Sequence, residues 1–159
     1  MRFRFRHVMA VLVALAAAGA WRARAGQEAA TTAKEGQDDA ALVKRGEYLV
    51  TKVAMCVDCH TPRNDDDKPD KTRMLQGAPL TTKPVDEDDI WSDEAPDVTR
   101  SGMLGDWGEE GMIKFLSTGL DPDEMRAMPP MPQYRLDAED ARAVTLYLKS
   151  LEGAKDAEE

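Results

Sequence analysis

Histidine and cysteine are scarce in this chain: its 159 residues hold two of each. The cysteines are Cys56 and Cys59, the histidines His7 and His60. A structural zinc site takes four Cys or His ligands, so Cys56, Cys59 and His60 would have to recruit a carboxylate as the fourth. A thioredoxin-like redox pair fits no better, because that motif follows a strand in a βαβ unit and a helical pattern precedes Cys56. Basic residues are outnumbered, 21 Lys and Arg against 30 Asp and Glu. The resulting charge of −9 argues against nucleic acid or an anionic lipid surface as the partner. No segment reads as a strand, no internal repeat is evident, and no candidate nucleophile, general base or substrate pocket stands out. The one long apolar run, Val8 to Ala20, is too short to cross a bilayer comfortably.

What is present begins with that run. Arg2, Arg4, Arg6 and His7 precede it, and Ala23-Arg24-Ala25 follows before Gly26. Together these are the three parts of a secretory signal over residues 1–25, and they place the domain in the periplasm. Arg22 and Arg24 are unusual so close to a cleavage point, which leaves an uncleaved membrane anchor as the alternative. Cleavage would remove five arginines and His7, leaving 134 residues with a net charge of −14. Residues 26–40 read as a flexible leader and 153–159 as a charged tail. Residues 41–152 remain as one small domain, short enough that a buried cofactor would supply much of its core.

The motif Cys56-Val57-Asp58-Cys59-His60 directs the chemistry. Two thiols three residues apart lie about one helical turn apart, within reach of the two vinyl groups of a haem, and the next imidazole is aimed at the iron. A plain disulfide between Cys56 and Cys59 would leave His60 without a role. The expectation is one covalent haem c with His60 as an iron ligand.

Three helical patterns organise the domain. Leu42, Leu49, Val50 and Val53 recur at helical spacing from about Leu42 to Met55, with Gly46 where another helix could approach closely. A second pattern, from about Glu109 to Ser117, sets Met112, Ile113, Phe115 and Leu116 largely on one face and ends at Gly119, a left-handed cap. A third starts after Asp137, whose side chain can cap it, and runs through Val144, Tyr147, Leu148 and Leu151. The fold class is therefore all-α with long loops.

With the supply of histidine exhausted, the second iron ligand has to be sought among nine methionines. A thioether suits a one-electron carrier because it favours ferrous iron. Met1 and Met9 leave with the signal, Met55 adjoins Cys56 on the proximal side, and Met112 lies on an apolar helix face. Met74, Met103 and Met125 fall in loops without a rigid frame. Met128-Pro129-Pro130-Met131-Pro132 differs, because prolines stiffen the backbone into a strap that can hold a sulfur in place. Met131 is preferred and Met128 is the alternative; with neither bound, the iron would be open to small ligands.

These residues resemble the monohaem class I cytochromes c, especially the cytochrome domains associated with periplasmic dehydrogenases. The resemblance runs through Arg45-Gly46-Glu47-Tyr48-Leu49, Cys56 to Pro62, Ala95-Pro96-Asp97-Val98-Thr99, Gly105-Asp106-Trp107, Ser117-Thr118-Gly119 and Met128 to Tyr134. It closes on Leu136 to Leu151. It implies three main helices around one haem, His60 as proximal ligand and Met131 as distal ligand. It also implies that Gly46 and Tyr48 pack against Tyr147 and Leu148 where the end helices cross. Two positions depart from the pattern: Asp97 stands where Asn is usual, and Gly108 where a Ser or Thr cap is usual. Trp91 and Trp107 are candidate indole donors to a haem propionate, with plain packing as the alternative.

The function expected is a periplasmic electron carrier, not an enzyme. A dehydrogenase would be its donor and an oxidase or another cytochrome its acceptor. The acidic loops Arg63 to Arg73 and Lys83 to Glu94 could steer a basic partner. A haem-based ligand-binding or sensor protein is the first rival, recognisable by tight carbon monoxide binding. A small haem c oxidoreductase acting on a sulfur compound is the second, recognisable by turnover without a partner.

Overall fold

The computed structural model of the chain describes residues 38–151. The expected signal over residues 1–25, most of the expected leader, the expected tail, and His7, Met1 and Met9 all lie outside the described residues.

Helix α1 occupies residues 38–48 and widens into a π-helical turn at Leu49–Val53. Its apolar side buries Leu49 and Val50. The apolar spacing carries the helix to Met55, but Met55 instead takes a left-handed conformation (φ 54°, ψ 32°) that turns the chain sharply into the next element. That element, α2, is the short helix Cys56–His60, so the two cysteines and the histidine do lie on one short helix.

The helix α3, Met103–Thr118, starts earlier than its apolar pattern indicates because a first turn packs Leu104 into the core. Gly108 breaks it at φ 69°, ψ 177°, a backbone region essentially restricted to glycine. A side chain there would meet nothing within 4 Å, so backbone conformation, not space, selects glycine. The second half therefore begins at Glu109. It ends at Gly119, left-handed as expected, with its N–H donating to the Phe115 carbonyl at 2.7 Å. Helix α4, Ala138–Ser150, starts on Asp137, whose carboxylate accepts from the Asp140 amide at 2.8 Å.

The all-α expectation needs correction. Gln76–Pro79 (β1) and Glu94–Asp97 (β2) form a two-stranded antiparallel sheet, with Gln76 opposite Asp97 and Ala78 opposite Ala95. Each strand has four residues, includes proline and lacks β-branched side chains, so neither carries an alternating signal. Tertiary anchors hold them instead. The Thr61 hydroxyl, just after α2, accepts from the Leu75 amide at 3.0 Å, and the Val98 amide donates to the Leu75 carbonyl at 3.0 Å.

The core joins Leu49 and Val50 of α1 to Leu104, Met112 and Leu116 of α3 and Val144, Tyr147 and Leu148 of α4. Gly46 permits the crossing of α1 and α4, since its bare Cα faces Ala143 and Tyr147. Tyr48 behaves differently from the expectation. It is half exposed, with its ring 5.9 Å from the Arg45 guanidinium, and Arg45 in turn bonds both carboxylate oxygens of Asp140 at 2.9 Å. No helix among the described residues is long and apolar enough to cross a membrane.

Candidate functional site, a haem pocket

Helix α2, the strap at residues 128–132, both halves of α3, helix α4 and strand β2 line a cavity of about 480 Å³. That size lies within the roughly 300–1,000 Å³ range of small-molecule and cofactor sites. Val50, Leu80, Val98, Trp107, Phe115, Leu116 and Leu148 give it an apolar wall. Cys56, Cys59 and His60 line it together with Met128 and Met131.

His60 is the most enclosed of these, 5% exposed. Its Nδ1 lies 2.8 Å from the Pro96 carbonyl oxygen. A carbonyl only accepts, so Nδ1 carries the proton and Nε2 keeps its lone pair on a ring that lines the cavity. Burial pushes the imidazole below its ordinary pKa, while the Pro96 bond and the Asp97 charge pull the other way. A neutral imidazole fixed in this tautomer is the form that ligates a metal.

The two thiols differ. Cys56 is half buried and Cys59 exposed. Burial pushes the Cys56 thiol up to about 11. Beside it, the Tyr134 hydroxyl donates to the Ala54 carbonyl at 2.8 Å, tying the end of the strap to the end of α1. The strap is held on its other side too, where the Ser92 amide donates to the Pro129 carbonyl at 2.7 Å. Within it, the Met131 amide donates to the Met128 carbonyl at 3.1 Å, closing a turn. Met131 is partly buried and Met128 is 50% exposed.

Of the other methionines, only Met103 departs from expectation. Met103 lies not in a loop but in the first turn of α3, where it lines the cavity. Met112 is 3% exposed and serves both core and cavity wall. Met55 lines the cavity near Cys56. Trp91 donates to the Thr82 carbonyl at 3.0 Å, so its indole holds a loop. Trp107 lines the cavity and packs on Phe115 with ring centroids 5.2 Å apart. Among the described residues, no group of three or more His, Cys, Asp or Glu side chains gathers to hold a metal ion.

Sequence reasoning missed the part played by Pro96. The motif Ala95-Pro96-Asp97 stands out in the chain, but the group that orients His60 is a backbone carbonyl, which has no residue-type signature.

Residues 43–152 match the cytochrome c family. The chain belongs to that family. Membership brings haem c as the cofactor and electron transfer as the role, and the cavity fits both: paired cysteines, a tautomer-fixed imidazole and thioethers around an apolar space. Over 116 residues this cytochrome c is 35% identical to the fructose dehydrogenase cytochrome subunit of Gluconobacter japonicus, covering 67% of this chain and 21% of that protein. It is 35% identical over 111 residues to a diheme cytochrome c-type of Cereibacter sphaeroides, covering 67% and 34%. A nicotinate dehydrogenase subunit of Pseudomonas putida is 32% identical over 121 residues, covering 71% and 9%. The matched region thus makes up between about a tenth and a third of these relatives' lengths.

Proposed function

We propose that this cytochrome c is an exported, periplasmic one-electron carrier with a single covalent haem c. In this reading Cys56 and Cys59 form the thioethers, and His60 and Met131 are the axial ligands. Three main helices, α1, α3 and α4, would then surround the haem. Its donor is a dehydrogenase and its acceptor an oxidase or another cytochrome. The observation that carries the reading is the convergence of Cys56, Cys59, His60 and the strap methionines on one apolar cavity.

When bound, the haem supplies an iron that takes up and gives back one electron. The chain's residues do the rest. Pro96 holds the His60 ring in one tautomer, and the bonds at Ser92 and Tyr134 hold the strap from both sides. A fixed ligand frame keeps rearrangement between oxidation states small. The apolar wall excludes water, which favours the less charged, reduced state. Names of relatives support the donor class: two are parts of a fructose and a nicotinate dehydrogenase. Docking is assigned to the acidic loops, where Asp86, Glu87, Asp88 and Asp89 are exposed.

The test is maturation of the full chain in cells that attach haem c, followed by pyridine haemochrome analysis and mixing with a reduced dehydrogenase. One covalent haem per chain and rapid reduction are expected. Absence of covalently retained pigment, or turnover of a small substrate without any partner, would overturn the proposal.

A further inference from the structure

Asp97 follows directly on the residue whose carbonyl orients His60, and it ends β2. It is half buried, and its carboxylate is held by three donors. Oδ1 accepts from the Thr99 amide and the Thr99 hydroxyl, both at 2.7 Å, and Oδ2 accepts from the Ser101 hydroxyl at 2.7 Å. Thr99 is fully buried, so this side chain is fixed next to the peptide whose carbonyl orients His60. An asparagine could keep both Thr99 bonds through its oxygen and meet Ser101 with its amide, because a hydroxyl both donates and accepts. The loop geometry therefore does not require a charge here, yet the chain places one.

We infer that Asp97 is a positioning residue whose fixed negative charge, set behind the proximal imidazole, lowers the reduction potential of the centre. The inference rests on His60 being the proximal ligand, as proposed above. The oxidised centre carries one more positive charge than the reduced one. A carboxylate nearby therefore stabilises the oxidised state, and screening by solvent is incomplete at a half-buried position. Asp97 needs no contact with iron or porphyrin for this. It acts through the field it imposes and through the peptide it shares with Pro96.

The experiment is redox titration of the full, haem-loaded chain and of Asp97→Asn. At a fixed solution potential near the midpoint, the reduced-to-oxidised ratio should rise about three- to tenfold in the variant. Tenfold corresponds to about 59 mV for one electron. The far-red absorption of sulfur-to-iron coordination and the thermal midpoint should stay near those of the parent, because the Thr99 bonds survive. Adding Ser101→Asp to Asp97→Asn should return most of the shift, which a merely structural role would not do. Should Asp97→Asn fail to mature, Ser101→Lys sets an ammonium beside Oδ2 and should move the ratio the same way. An unchanged midpoint in a variant that retains covalent haem overturns the inference alone. Loss of covalent haem from the parent itself instead overturns the underlying assignment of the site.

Discussion

A Cβ built on Gly46 would lie 2.0 Å from the carbonyl oxygen of Ala143 and 2.8 Å from the Cβ of Tyr147. Both obstacles are parts of a helix backbone or its first side-chain atom, so neither can swing aside, and α1 and α4 would have to separate. Overpacking of this kind costs about 1–3 kcal/mol, and a backbone obstacle puts Gly46→Ala at the upper end. For a domain of this size a loss of about 2–3 kcal/mol lowers the thermal midpoint by roughly 8–15 °C. A calorimetric scan of the haem-loaded variant checks this; a midpoint within about 2 °C of the parent would show that the crossing tolerates a methyl group.

Met131 and Met128 share one turn, and the proposed ligand is the more buried of the two. Met131→Ala should abolish the weak far-red band in the oxidised protein and let carbon monoxide bind the reduced form. Met128→Ala should leave both properties unchanged. The reverse pattern would make Met128 the ligand.

Tyr134→Phe deletes only the hydroxyl that donates to Ala54. Loss of one such bond costs about 1 kcal/mol. Denaturant unfolding should show that loss while covalent haem content stays unchanged. A variant as stable as the parent would mean that the strap is held elsewhere.

The paired bonds from Arg45 hold the Asp140 carboxyl below its usual range, and Asp140 raises the guanidinium in return. A carboxyl depressed by folding stabilises the protein fully above its unfolded pKa, near 4, and that contribution disappears as pH falls through the lower folded value. Asp140→Asn should therefore be slightly less stable than the parent at about pH 7, and the gap should close on acidification below about pH 4. The effect is small because the pair is open to solvent, the Arg45 side chain about half exposed and that of Asp140 partly so. Urea melts at a series of pH values from about 7 down to about 3 give the comparison, and a gap that widens in acid contradicts the assignment.

The loop carrying Asp86, Glu87, Asp88 and Asp89 is clamped at its neck by Lys83 and Asp93, 2.6 Å apart. If it steers a basic redox partner, the second-order reduction rate should fall several-fold between low and physiological salt. Replacing the four acids by amides should flatten that dependence. A rate already indifferent to salt in the parent removes the steering role.

Side chains with distinctive chemistry are legible in the primary structure; backbone groups with distinctive positions are not. Cys56, Cys59 and His60 mark a candidate site through spacing, the Pro-rich strap stands out by composition, and both line the same cavity. Gly46 and Gly119 are legible because only one residue type suits a close crossing or a left-handed cap. Pro96 escapes notice because its carbonyl, not its ring, orients the imidazole. The two strands escape because they are too short for periodicity and depend on Thr61 and Leu75, which lie outside both of them. Met103 escapes because the first turn of α3 ends at Gly108, before an amphipathic pattern can build up.

The segment with Met131 is fastened on one flank through the Ser92 amide and on the other through the Tyr134 phenol. Release of either fastening leaves the other in place, and neither touches the bond by which Pro96 holds the imidazole. The cavity is thus walled by two independently secured pieces, one bearing the imidazole and the other the two strap sulfurs.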